Sequence, residues 1–224
     1  MSSDSGRRTY DATSRRERAE GERRATRARV VQAATELFAR NGYTGTTMAD
    51  IAREAGVAMQ SVYSAGRSKA DLLQAAVQRA VAGDDANLLV HQRPAYAAVA
   101  AEPDPVRQVH LLVDLIVEVQ QRSAPIQTAL RQAAAVDESV ARTLAEEHRR
   151  RLETFGAIVG MLPPDRLKHS PSESADTAWA VASAEVFILL RTVRGWTWDE
   201  IRQWLRRTLV DALLDPTAST RSSG

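Results

Sequence analysis

The chain has 224 residues, room for one domain of ordinary size and a smaller one, and its 44% hydrophobic and 26% charged content is the balance of a globular domain. It has no cysteine, which excludes disulfides, thiolate chemistry and Cys-ligated zinc and makes a cytoplasmic location the default expectation. There is no charge-free apolar run of about 18 residues, so no membrane span is expected, and the Arg-rich N-terminus lacks the apolar stretch of a secretory signal.

The formal net charge is only +2, but residues 1–29 hold nine Arg against five Asp or Glu. Residues 1–21 lack an apolar period and read as a disordered basic arm. Such an arm suits phosphates or a minor groove; the plainer reading is a solvated tail. Helical patterning starts near residue 22. Val30, Ala33, Ala34, Leu37 and Phe38 share one helical face over about 23–41, and Asn41-Gly42 suits the stop. Thr47-Met48-Ala49-Asp50 reads as a capping box with a short carboxylate, opening a short helix to about Glu54. Ala55-Gly56-Val57 is a tight turn. A second short helix spans about 58–65, with Gly66 as its C-cap, and Ser68 to Asp71 caps the next.

Residues 83–104, with Pro94 and Pro103, read as a bend or loose connection. Asp104-Pro105 opens a helix to about Arg122, Pro125 starts another ending near Ala135, and Asp137 caps a third reaching about Met161. Ser170-Pro171-Ser172-Glu173 is a capping box whose helix is expected to run to Arg194. Thr197 to Glu200 caps the last helix, about 198–214, before a flexible tail at 215–224. The expectation is an all-α chain of about nine helices, in a small N-terminal group at 22–82 and a larger C-terminal group at 83–214.

Two short helices joined by Ala55-Gly56-Val57 behind a longer helix make a three-helix helix-turn-helix unit. Its second short helix would place Ala58, Met59, Gln60 and Ser61 at the major-groove floor. Gln60 suits the N6/N7 edge of adenine, and Met59 suits thymine methyls. Thr46, Thr47, Tyr63 and Lys69 are phosphate-type groups around it, near helix N-termini whose free N–H groups attract anions. Arg53 is either a phosphate contact or a solvated side chain.

These residues resemble a known family. Ala33 to Phe38, Asn41-Gly42-Tyr43, Thr46 to Ala52, Ala55-Gly56-Val57, Tyr63 and Ser68-Lys69 look like the DNA-binding domain of the TetR family. The resemblance implies an all-helical homodimer with a divergent C-terminal ligand pocket. By position it implies phosphate contacts from Thr46, Thr47, Tyr63 and Lys69, and base approach by Met59, Gln60 and Ser61. Ser183 to Phe187, Arg194 to Thr197 and Trp204-Leu205 resemble a subgroup of these regulators. The chain departs from the family pattern at Gln60, usually Gly, and at Ala65-Gly66, usually His or Tyr and then an aromatic. Loss of that aromatic is expected to loosen packing between the recognition helix and the next.

His110, Asp114 and Glu118 share a helix face. A solvated stripe opposite Val109, Leu112, Val113 and Ile116 explains them; a metal site is the sharper alternative. His148 falls with Leu144, Leu152 and Phe155, as a core histidine or a polar group in a pocket. The pocket candidates are Leu111, Leu115, Leu130, His148, Phe155, Trp179 and Phe187. The helices at about 173–194 and 198–214 are apolar enough to form half of a four-helix dimer interface. No nucleophile motif or Gly-rich phosphate loop is present, so an enzyme is not expected, and no cofactor is implied. The expected function is a dimeric, ligand-responsive regulator, most simply a repressor, that binds a palindromic double-stranded DNA operator and is released by a small-molecule effector of unknown identity. The alternative is an architectural or partner-binding protein without sequence discrimination.

Overall fold

The computed structural model describes residues 5–83 and 94–216. The first four residues of the arm, the connection at 84–93 and the tail from 217 lie outside the described residues. The described residues contain helices, turns and one isolated two-residue bridge, Leu167 with Leu214, which fits the expected all-α class. They divide into two compact units at Ala76/Val77, inside a helix, rather than at residue 82.

The first unit contains α1 (Ser5–Asn41), α2 (Met48–Ala55), α3 (Met59–Ala65) and the start of α4 (Lys69–Ala82). Helix α1 reaches back to Ser5, through most of the stretch expected to be a disordered arm. This stretch contains no proline, and it carries an i,i+4 Arg18–Glu22 pair of the kind that supports exposed helix. The core is the expected α1 face, Val30, Ala33, Ala34, Leu37 and Phe38, with Ile51, Ala52, Val62, Leu72 and Leu73. Both α2 and α3 pack on α1 and on each other.

The second unit contains the rest of α4, α5 (Pro94–Ala101), α6 (Pro105–Ala134), α7 (Glu138–Val159), α8 (Pro171–Val181), α9 (Ala184–Ile188), which passes into a π-helical turn at Leu189–Val193, and α10 (Trp198–Leu213). The caps expected from sequence are present. Asp104 and Asp137 accept backbone N–H groups of α6 and α7, and Ser170/Glu173 and Thr197/Glu200 form reciprocal capping boxes. Helix α6 packs on α5, α7, α9 and α10, and α8 packs on α7 and α10.

Two helix boundaries differ from expectation. Pro125 does not start a helix but lies inside α6. Proline removes one helical hydrogen bond, and here burial on both sides of it, at Ile116, Val117, Ile126 and Leu130, keeps the helix continuous. Conversely, the single helix expected over 173–194 breaks at Ala182. The Gln120 side chain donates to the Ala182 carbonyl at 3.3 Å, and the Ser183 hydroxyl caps α9 by accepting from the Val186 N–H.

Candidate nucleic-acid interface

The turn between α2 and α3 sets the site. Gly56 ends α2 at φ 63°, ψ 40°, a left-handed conformation that a side chain disfavours. Its N–H donates to Arg53 O and that of Val57 to Ala52 O, so two terminal carbonyls of α2 are satisfied. At the other end of α2, Thr47 and Asp50 cap each other. Asp50 N–H donates to Thr47 Oγ1 at 3.1 Å, and Thr47 N–H donates to the Asp50 carboxylate at 3.0 Å. The Thr47 hydroxyl, which also donates to this carboxylate, the Thr47 N–H and a bond from Arg53 hold the Asp50 carboxyl below its usual range.

Helix α3 has two clear sides. Val62 is 0% exposed and Gly66, four residues on, is also buried, so this stripe faces the unit's core. Met59, Gln60, Tyr63 and Ser64 are exposed together at i, i+1, i+4 and i+5. Ser61 is half-buried between the two sides. The base-reading candidates Met59 and Gln60 thus lie on an open helical face beside Tyr63, which is 52% exposed. Ser64 and Arg67 are exposed here as well; in the sequence, the i,i+4 spacing of Ser64 from Gln60 is the signal that places it on this face.

The phosphate candidates separate. Thr47 is exposed, although its hydroxyl donates to Asp50 at 2.6 Å. Lys69 is half-buried: Nζ donates to Tyr43 O at 2.9 Å and lies 4.2 Å from the Tyr43 ring centroid, tying α4 to the loop after α1. Two of its three N–H donors remain for an anion. Tyr43 itself is buried and stacked on Phe38. Thr46 is the correction. It is 0% exposed and its hydroxyl donates to Gly42 O at 2.9 Å, so its side chain braces the loop from inside and does not face a phosphate. A threonine hydroxyl that bonds a carbonyl four residues back is internally satisfied.

Gly66 also departs from expectation. A Cβ built there would lie 2.7 Å from Leu72 Cδ2 and 2.8 Å from Leu72 Cγ. The missing aromatic does not leave this junction loose, because Leu72, fully buried, occupies the space.

The ligand-pocket candidates scatter. Leu111 is 37% exposed and drops out. Leu130 and Phe187 are buried, Leu115 packs against the core, and Phe187 meets Trp198 at 6.1 Å between ring centroids. His148, Phe155 and Trp179 do converge: His148 meets Trp179 edge-on at 6.1 Å, and one guanidinium, Arg151, lies over both the Phe155 and Trp179 rings. Leu152 is exposed, so the apolar stripe read around His148 is interrupted. The His110, Asp114, Glu118 stripe serves structure at its middle member, since Asp114 accepts from Arg206 at 2.6 and 2.7 Å and pairs with Arg202 at 3.3 Å. No group of His, Asp or Glu suited to a metal is found among the described residues, nor any helix long and apolar enough to cross a membrane.

Comparison with known proteins agrees with this geometry. Residues 30–76 match the family model of bacterial regulatory proteins, tetR family. Among curated proteins no sequence matches the chain. Similar solved structures include NalD, the secondary repressor of the MexAB-OprM multidrug efflux pump in Pseudomonas aeruginosa (22% identity, TM-score 0.62, covering 88% of this chain and 99% of that one). A protein assigned as a transcriptional regulator from Saccharomonospora viridis, solved with choline, has 20% identity and a TM-score of 0.64, covering 84% of this chain and 97% of that one. One assigned to the TetR family from Mesorhizobium loti has 16% identity and a TM-score of 0.68, covering 86% and 98%. At these identities the likeness is one of fold; the matched family model makes residues 30–76 a DNA-binding domain of the tetR-family type, and the chain is a DNA-binding transcriptional regulator.

Proposed function

We propose that this regulator is a dimeric repressor that binds a palindromic operator through α3 and is released by a small-molecule effector. The observation that carries the reading is the two-sided character of α3. Val62 anchors the helix, while Met59 and Gln60 stand exposed on a unit joined to a larger helical domain. Gln60 can pair bidentately with adenine, whereas phosphate anchoring falls to Thr47, Tyr63 and Lys69. Two α3 helices reading half-sites one turn apart require a two-fold dimer.

The dimer face expected on 173–194 and 198–214 takes a narrower form. Ile201, Leu205, Leu209 and Leu213 of α10 are buried within the protomer, so this stripe is already used. Leu189 and Val193 of the π turn are exposed apolar side chains, Val193 at 72%, and a partner would cover them. Repression is the described activity of NalD, and the Saccharomonospora viridis protein holds a small molecule; both support the same reading here. A regulator of this kind works beside the chromosome, in the cytoplasm.

Gel-shift titration on the promoter of its own gene tests the proposal. Specific binding as a dimer, at a site with two-fold symmetry, is expected. Binding that is equally strong to unrelated duplex and depends steeply on salt would favour the architectural alternative.

A further inference from the structure

The convergence of His148, Phe155 and Trp179 contains charges that the core does not need. Arg131 of α6 and Arg151 of α7 lie close enough to repel each other, and one carboxylate, Glu185 at the start of α9, is shared between them. Arg131 Nη1 donates to Glu185 Oε1 at 2.8 Å. The Arg151 guanidinium lies 5.0 Å from the Trp179 ring centroid and 5.3 Å from that of Phe155, and one of its Nη groups donates to the Trp179 carbonyl. The cluster therefore carries two cations against one anion.

Three of its donors have no acceptor: Arg131 Nη2, Arg151 Nε and the Trp179 indole Nε1 are each buried without a hydrogen-bond partner. A buried N–H without an acceptor loses its hydration with no compensating bond, and the loss is greater when the group is charged. Natural cores keep few such groups, and each calls for an explanation. Burial pulls the Arg151 guanidinium down to about 10, with Arg131 pushing the same way and Glu185 only partly offsetting it. The aromatic faces accept the cation but not the in-plane N–H groups.

We infer that Arg131, Arg151 and Trp179 form the anion-recognising end of an effector site, and that the effector is a small organic acid whose carboxylate accepts from these donors while its apolar body lies against Trp179 and His148. A carboxylate supplies acceptors to fork-shaped guanidinium donors with matching geometry. It would also balance the second cation. A cationic molecule would meet like charge and be repelled. This assignment rests on the ligand-responsive reading above for its regulatory consequence, but not for the binding itself.

The test uses full-length protein and isothermal calorimetry with benzoate, phenylacetate, salicylate and octanoate, each beside its primary amide, with choline as the cationic control. At least one acid is expected to bind the wild type at least about tenfold more tightly than its amide, as a charge-assisted bond requires, with choline not bound. Arg151→Gln and, independently, Trp179→Phe are expected to weaken that acid at least about fivefold, on the order of a lost hydrogen bond. Thermal unfolding of Arg151→Gln is expected at or above the wild-type temperature, since the exchange removes the buried positive charge in excess of the shared Glu185. No binding by any acid, amide binding equal to acid binding, or unchanged affinity in both variants overturns the assignment. If Arg151→Gln unfolds early, the acid-to-amide ratio and Trp179→Phe still decide. A gel shift of the wild type with the same acid separates the two ideas: binding in calorimetry without release of DNA keeps the site and removes its regulatory role.

Discussion

Gly66→Ala is a small change with a sign that the structure determines. Gly66 has φ −158° and ψ 129°, extended backbone open to any residue. Backbone entropy alone would therefore make alanine stabilising by about 0.4–1 kcal/mol. Space argues the other way. The added methyl would lie 2.7 Å from Leu72 Cδ2, 2.8 Å from Leu72 Cγ and 3.3 Å from the Leu72 backbone nitrogen. Leu72 must retreat by about 1 Å to reach a normal carbon–carbon separation, and it is fully buried. Overpacking of this kind costs about 1–3 kcal/mol, so the net expectation is a loss centred at about 1.3 kcal/mol and reaching about 2.6 kcal/mol. Urea unfolding followed by circular dichroism measures it. The double mutant with Leu72→Ala supplies the control, because trimming the clashing side chain should make Gly66→Ala less costly than in the wild type. A stabilising Gly66→Ala in the wild-type background, or one whose cost is unchanged by Leu72→Ala, would refute the tight junction between α3 and α4.

Three further expectations follow from single side chains. Thr46→Val should cost about 0.5–1.5 kcal/mol through the lost bond to Gly42 and leave DNA affinity of the folded protein unchanged; weaker DNA binding with intact stability would restore the phosphate role read from sequence. Burial pushes the Glu147 carboxyl above its ordinary 4.5, against Arg150 and a hydrogen bond with Gln78. A raised carboxyl destabilises the fold only when ionised, so Glu147→Gln should raise the melting temperature at pH 7, with the gain vanishing below pH 4.5. The Asp50 carboxyl moves the other way: Thr47 and Arg53 hold it below 3.8, so its contribution is present above that pH and is lost as pH falls through the lower folded value. Asp50→Asn should accordingly destabilise at pH 7 and flatten the acid limb of the melting curve, and parallel limbs would contradict it.

Local features were the legible ones. Thr47 with Asp50, Ser170 with Glu173 and Thr197 with Glu200 are three residues apart, and a helix start needs nothing more distant. On α3, Met59 and Gln60 were legible as residues of the recognition helix's N-terminal end, whereas Ser61 is half-buried. What escaped depends on partners far along the chain. The break at Ala182 involves Gln120, 62 residues away, and Pro125 stays inside α6 because of burial that no local rule reports. Thr46 occupies a contact position in the resemblance, but its hydroxyl turns back to Gly42. Nothing local in the sequence marks Arg151; only the approach of Trp179, 28 residues away, makes it a buried cation.

The central claim is that the exposed face of α3 reads base sequence. Sites selected from a random duplex pool by the wild type supply the probe, and fluorescence anisotropy at one fixed salt concentration compares wild type with Gln60→Ala on that site and on a scrambled duplex. The account predicts a loss of about 1–3 kcal/mol on the selected site, roughly 5- to 150-fold in Kd, with little change on the scrambled one. An equal loss on both duplexes, or none on either, would contradict it.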